Sequence, residues 1–200
     1  MNKFDVVIIG SGFSGLTCGH FLKKEGIENF CIIEKNSSLG GVWSHGGVGS
    51  YPGAACDVQS YTYLPFLDET GFIPSKRYVS QAEIADYAEL LADHFDLRKH
   101  IKFQNKVIKV EYLGIEDWDI ELWDTKNNQM ENNIRANHIV CANGPLSSPR
   151  MPELGGMVIQ RRKFSYCKLG QKCKLKREEC RNYRYRGVCC ASNYQYCRRS

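Results

Sequence analysis

Gly10, Gly12 and Gly15 fall in the spacing G-x-G-x-x-G, and an acid, Glu34, follows 19 residues after the last of them. These residue types at this spacing suit the pyrophosphate and ribose of a dinucleotide. The first glycine permits a tight turn, the second lets a pyrophosphate approach the backbone, and the third lets a helix pack closely on a strand. Unpaired N–H groups at the start of such a helix, here around Ser14, attract phosphate. A carboxylate about 20 residues further on accepts hydrogen bonds from a ribose diol. The bland alternative is a glycine-rich turn that binds nothing. A second pair, Gly40 and Gly41, leads into Val42 and Trp43. It reads either as another close backbone approach to an extended dinucleotide or as an ordinary loop. Cys56 has no His or Lys beside it to lower its pKa, so it reads as a small buried filler. The five His residues show no metal-ligand spacing, and no metal is assigned.

These residues need elements to position them. Residues 3–9 (KFDVVII) form a short β-branched run, the pattern of a buried parallel strand. Helical spacing of apolar residues follows over 16–24, and a second strand over 30–33 delivers Glu34. Residues 80–97 predict a helix, with Ser80 as N-cap and Glu83 at the capping-box position. Its stripe of Ile84, Tyr87, Leu91 and Phe95 reads as core. Strands over 106–113, 117–124 and 133–142 predict a small antiparallel meander whose last run, 138–142, rejoins the parallel sheet. The chain then turns at Asn143, Gly144 and Pro145, at a strand's carboxyl end, where open α/β sheets bind ligands. The expected fold is α/β: a Rossmann-like, three-layer domain of parallel sheet, helices and meander.

The 200 residues are 42% hydrophobic and 24% charged, the composition of a globular chain, with no apolar run approaching the ~20 residues of a transmembrane helix. The amino terminus enters a strand without a leader, so a cytoplasmic protein is expected. The net charge of +5 averages two unlike pieces. Residues 157–200 hold 13 Lys and Arg against two Glu, a net +11, which leaves −6 for 1–156. Six of the ten cysteines, Cys167, Cys173, Cys180, Cys189, Cys190 and Cys197, crowd the same tail. A boundary near Gly156 therefore divides a domain at 1–156 from a cationic Cys-rich tail at 157–200. The tail lacks C-x2-C pairs and His, which argues against zinc. It reads either as a disulfide-stapled peptide or, in a reducing cytosol, as a disordered segment. Its basic residues interleave with tyrosines and suit anionic surfaces, without predicting a specific nucleic acid.

Four stretches carry a resemblance to a known family: the 10–15 loop, Glu34 with Gly40, Gly41, Val42 and Trp43, the segment 51–63 (YPGAACDVQSYTY), and 142–147 (ANGPLS). Together they resemble the amino-terminal FAD half-domain of flavin-dependent monooxygenases, over about residues 3–155. The 51–63 segment points to the Baeyer–Villiger type. The resemblance implies FAD with its pyrophosphate over residues 12–14, its ribose on Glu34 and its adenine near the backbone of Val107. It implies Val42 and Trp43 flanking the cofactor, and Asp57 and Tyr63 close to the flavin, with Asp57 orienting an active-site arginine. A turn carboxylate and a core tyrosine are the alternatives for those two. In such enzymes NADPH reduces FAD, O2 adds to give a C4a-peroxyflavin, and the peroxide attacks a ketone to yield an ester or lactone.

The sequence also departs from that pattern. Residues 44–50 (SHGGVGS) replace a shorter link and are expected to be looser beside the flavin. Asn143 stands where threonine is usual. A second G-x-G-x-x-G for NADPH, the fingerprint histidine, the substrate helices and a returning strand do not follow Gly156. The expectation is a truncated or variant flavoprotein oxidoreductase with an uncovered apolar flank, weak FAD affinity and marginal stability. The alternative is a non-catalytic binding or regulatory protein acting through its cationic tail.

Overall fold

Val6 and Ile8 are buried against one side of the sheet and Val7 against the other, so β1 (Lys3–Ile9) is covered on both faces. The computed structural model describes residues 2–51 and 53–148. The boundary at 156 and the expectations for 157–200 lie outside the described residues. β2 (Phe30–Ile33) runs parallel to β1, with Val6 opposite Phe30 and Ile9 opposite Ile33. β3 (Ile101–Lys102) extends the sheet beyond β2. On the other side β1 pairs in parallel with β7 (Ile134–Cys141), from Lys3 opposite Arg135 to Ile9 opposite Cys141.

The meander follows from the same pleat. β5 (Asp117–Asp124) lies antiparallel to the first residues of β7, β4 (Asn105–Gly114) pairs with β5, and β6 (Gln129–Met130) adds to β5. The order is β3-β2-β1-β7-β5-β4. Alternation then sorts the core. Ile8, Phe30 and Ile32 pack with Leu16 of α1 (Phe13–Lys24) and with Ile84, Tyr87 and Leu91 of α4 (Gln81–His94). Val7, Cys31 and Ile33 pack instead with Ile120, Leu122, Ile134 and Ala136 of the meander strands. The result is a mixed α/β fold around a central parallel sheet.

The expected strands are present, and β5 has the expected ends. β7 rejoins the parallel sheet earlier than expected, from Arg135. α1 begins at Phe13 rather than residue 16, and α4 ends at His94 with Phe95 as C-cap. Ser80 caps α4 by accepting from Glu83 N, but the Glu83 carboxylate turns away to Ser75 N and Oγ, so only half of the capping box forms. Two short helices, α2 (Ser60–Tyr63) and α3 (Leu67–Thr70), went unforeseen, as did β3 and β6. The far end of the β4–β5 hairpin leaves Val110, Tyr112, Leu113 and Ile115 exposed. No helix among the described residues is long and apolar enough to cross a membrane.

Candidate functional site

The glycine turn lies where β1, β2 and β7 end together. Gly10 N donates to Ile33 O (2.9 Å), and Ala142 N donates to Ile9 O (2.9 Å). Gly10 has φ +106°, and a Cβ there would stand 2.7 Å from Ala142 O, so this turn requires glycine. A Cβ on Gly15 would stand 1.9 Å from Gly10 O, which makes Gly15 the point where α1 presses onto the turn. Gly12 differs. It is the N-cap of α1 with an ordinary φ of −71°, and a Cβ there would meet only Gly41 Cα, at 3.8 Å. A Cβ on Gly41 would lie 3.2 Å from Gly12 Cα. The two glycines thus form a side-chain-free cradle at the start of α1. That first turn has no side-chain cap and no acidic residue, and Ser14 within it is exposed. The first intrahelical bond, Leu16 N to Gly12 O (3.0 Å), leaves the amides of 13–15 outside the helical ladder.

Glu34 is buried beside this turn, with 4% exposure. Its Oε2 accepts from Ser11 N (3.0 Å) and Ser11 Oγ (2.7 Å), and its Oε1 accepts from Asn36 N (2.9 Å). A carboxylate offers about four acceptor sites, so one is left for a ligand hydroxyl. Val107 sits half-buried in β4, at an irregularity in the β4–β5 register. Two residues before it, Asn105 N donates to Glu34 O (2.9 Å), which brings this strand alongside the acid.

The 44–50 loop is not loose, contrary to expectation. Buried Asn36 accepts from Val48 N (2.9 Å) and donates to Val48 O (3.3 Å). Ser44 Oγ and Ser38 Oγ both donate to Gly46 O. A Cβ on Gly49 would stand 2.2 Å from Ser147 O, and Tyr51 OH donates to Leu146 O (2.6 Å). The glycines serve close approach here, strapping the loop to the turn that holds Gly144. Gly144 itself is exposed, has φ +64° and would meet nothing within 4 Å.

An aromatic group borders the cradle on the other side. Gly41, Val42 and Trp43 form a single 3₁₀ turn, and Trp43 Nε1–H donates to Tyr63 OH. The Trp43 and Tyr63 rings meet edge to face at 5.7 Å, and Phe13 meets Tyr63 the same way at 6.0 Å. Burial pushes the Tyr63 phenol above its ordinary pKa, while the Trp43 hydrogen bond acts the opposite way. Asp57 is exposed and has no arginine partner among the described residues. Cys56 is buried, and burial pushes its thiol up, in keeping with a filler. Sequence reasoning missed Ser11, Asn36 and Gln81. Ser11 and Asn36 carry no local signal. Gln81 does, being a polar residue three positions before Ile84, on the apolar stripe of α4.

A family model described as pyridine nucleotide-disulphide oxidoreductase matches residues 7–177. The chain belongs to that family. Its curated relatives include an FAD-binding monooxygenase of Hypomyces subiculosus, 38% identical over 153 residues, covering 76% of this chain and 24% of that protein. A Baeyer-Villiger monooxygenase of Stachybotrys chlorohalonatus is 40% identical over 157 residues, covering 78% of this chain and 24% of that protein. Among solved structures, the polycyclic ketone monooxygenase of Thermothelomyces thermophila superposes with a TM-score of 0.69 at 26% identity, covering 76% of this chain and 25% of that one. An oxidized steroid monooxygenase bound to NADP gives 0.62 at 33% identity, covering 76% and 28%. The resemblance to Baeyer–Villiger monooxygenases read from the 51–63 segment therefore holds. The chain spans about a quarter of the length of the curated relatives it matches.

Proposed function

We propose that this chain binds FAD and is the flavin-binding part of a monooxygenase of the Baeyer–Villiger type, one that oxygenates a ketone with NADPH and O2. The observation that carries the reading is the cradle. Gly12 and Gly41 approach each other without side chains at an uncapped helix start, and a buried carboxylate with one acceptor site to spare lies beside it. A pyrophosphate over residues 12–14 would take hydrogen bonds from the amides of the first turn of α1. Gly10 and Gly15 would hold that turn in shape, and Glu34 would accept from the ribose. The backbone at Val107 would border the adenine, and Gly41, Val42 and Trp43 would flank the cofactor toward its ring. Tyr63 and Asp57 would lie by the flavin, with Gly144 in the turn beyond β7. Bound FAD would supply the two-electron and oxygen chemistry, and the chain's part is to orient it and keep water from its reactive edge.

The same reading places helices, parallel sheet and meander as three layers of a domain ending near residue 156, in a cytoplasmic protein. The basic stretch 157–200 is proposed to meet anionic surfaces, and salt-sensitive capture of the chain by anionic vesicles tests that. For the flavin site the test is titration of the full chain with FAD, read by flavin fluorescence quenching. Saturable binding that Glu34→Gln weakens is expected. A chain that takes up no FAD would leave the glycine motif as a mark of ancestry and refute the reading.

A further inference from the structure

Gln81 is the first residue of α4, and it is 7% exposed. Its backbone N donates to Ala54 O (2.9 Å), and the neighbouring Ser80 bridges Ala55. Its side chain reaches the opposite way. Nε2 donates to Trp43 O (2.7 Å) and to Ser44 O (2.9 Å), so both amide hydrogens are used on two consecutive carbonyls. Both partners are pure acceptors, which fixes the orientation of the amide.

Among the described residues, no other donor reaches those two carbonyls. Gly40 O accepts from Trp43 N, Gly41 O from Ser44 N, and Val42 O from Tyr51 N. The carbonyls of residues 40–44 are thereby satisfied in sequence, the last two by Gln81. Ser44 is fully buried, so water is no substitute there. We propose that Gln81 is the positioning residue for Trp43: one buried amide fixes the backbone from which the indole N–H reaches Tyr63 OH. Because Tyr63 accepts from Trp43, its own proton is left to donate to another acceptor. The consequence for flavin rests on the FAD reading above, whereas the positioning of Trp43 does not.

The side-chain chemistry is specific. Asn is one methylene short, and an ionised Glu presents two acceptors to two carbonyls. The test labels the full chain with 5-fluorotryptophan and follows the Trp43 resonance by fluorine NMR, assigned by its loss in Trp43→Phe. Gln81→Glu is expected to displace that resonance in a pH-dependent way, less so as the pH falls, since burial against two carbonyl oxygens raises the carboxyl's pKa and a protonated carboxyl restores one donor. The wild type, which keeps the nearby Glu83, Asp57 and the His45–Asp86 pair, is the pH reference. FAD binding by Gln81→Glu is expected to be at least tenfold weaker than wild type in alkaline buffer and to recover as the pH falls. Gln81→Met, uncharged and of similar length, is expected to displace the Trp43 resonance at every pH, and it serves where the carboxylate blocks folding. A Trp43 resonance that stays at its wild-type position in both variants overturns the proposal. If the wild type takes up no FAD, the cofactor reading falls, and the resonance still decides the role of Gln81.

Discussion

A single methyl group at Gly12 and one at Gly15 should separate binding from folding. At Gly12 the backbone φ of −71° suits any residue, and the added carbon meets only Gly41 Cα, at an ordinary 3.8 Å. Two small effects oppose each other there. Alanine is a poorer N-cap than glycine by roughly 0.5–1 kcal/mol. Removing glycine's freedom from the unfolded chain returns about 0.4–1 kcal/mol. The net change lies within about 1 kcal/mol, which moves the melting midpoint of a chain this size by no more than about 4 °C. At Gly15 the added carbon stands 1.9 Å from Gly10 O, so α1 must retreat about 1.5 Å to reach ordinary contact. Overpacking of that kind costs about 3 kcal/mol, a fall of roughly 6–12 °C. FAD behaves in the reverse order. A methyl group on Gly12 enters the space where the pyrophosphate approaches, and at least a tenfold loss, about 1.4 kcal/mol, is expected. Gly12→Val should lose more. Thermal melting by circular dichroism and FAD titration by fluorescence quenching read the two quantities. Gly12→Ala binding FAD within about threefold of wild type would refute the cradle, and Gly15→Ala melting with the wild type would refute the close helix contact.

Glu34→Gln should both destabilise and weaken FAD, because its amide would point an N–H at one of the three donors now satisfied; denaturant titration should show a loss of about 1–3 kcal/mol. Trp43→Phe removes the hydrogen bond that lowers the Tyr63 pKa and leaves the burial that raises it, so ultraviolet titration should show a tyrosine ionising at higher pH than in the wild type. His20 lies among the rings of Phe21, Phe66 and Phe95, and burial lowers its pKa below 6.5 more than Glu69 raises it. The fold therefore prefers the neutral ring while the unfolded chain binds a proton from about pH 6.5 downward. The urea midpoint should fall as the pH drops through that value, and less steeply in His20→Leu; equal slopes for both proteins would count against this.

Much of the site's frame is legible because it is local. The strand over 3–9, the glycines at 10, 12 and 15, and the strand ending at Glu34 lie within one short window, where side-chain period and backbone freedom suffice to specify strand, turn and helix. β5 is equally plain, since apolar residues alternate with acids from Asp117 to Leu122 and the turn residues Gly114 and Lys126-Asn127-Asn128 bound the run. Four short stretches carried the family resemblance on sequence alone, and the 51–63 segment among them pointed to the Baeyer–Villiger type. What stayed hidden is what requires a partner from far along the chain. β3 is two residues long and exists because β2 recruits it, through bonds such as Glu34 N to Lys102 O (2.9 Å). Composition made the 44–50 loop look loose, yet its glycines give Asn36 and Ser147 room to approach. Gln81 reaches Trp43 across 38 positions, and Ser11 reaches Glu34 across 23. By itself the sequence determined the turn, its acid and the strand pattern, because those depend on propensities confined to neighbouring residues. The tertiary structure alone decided which donors meet Glu34, which amide steadies Trp43 and what straps the loop. The strand order β3-β2-β1-β7-β5-β4 sets β2 and β7 on either side of β1, which brings the ends of three strands distant in sequence, and the turns that follow them, together at one end of the sheet.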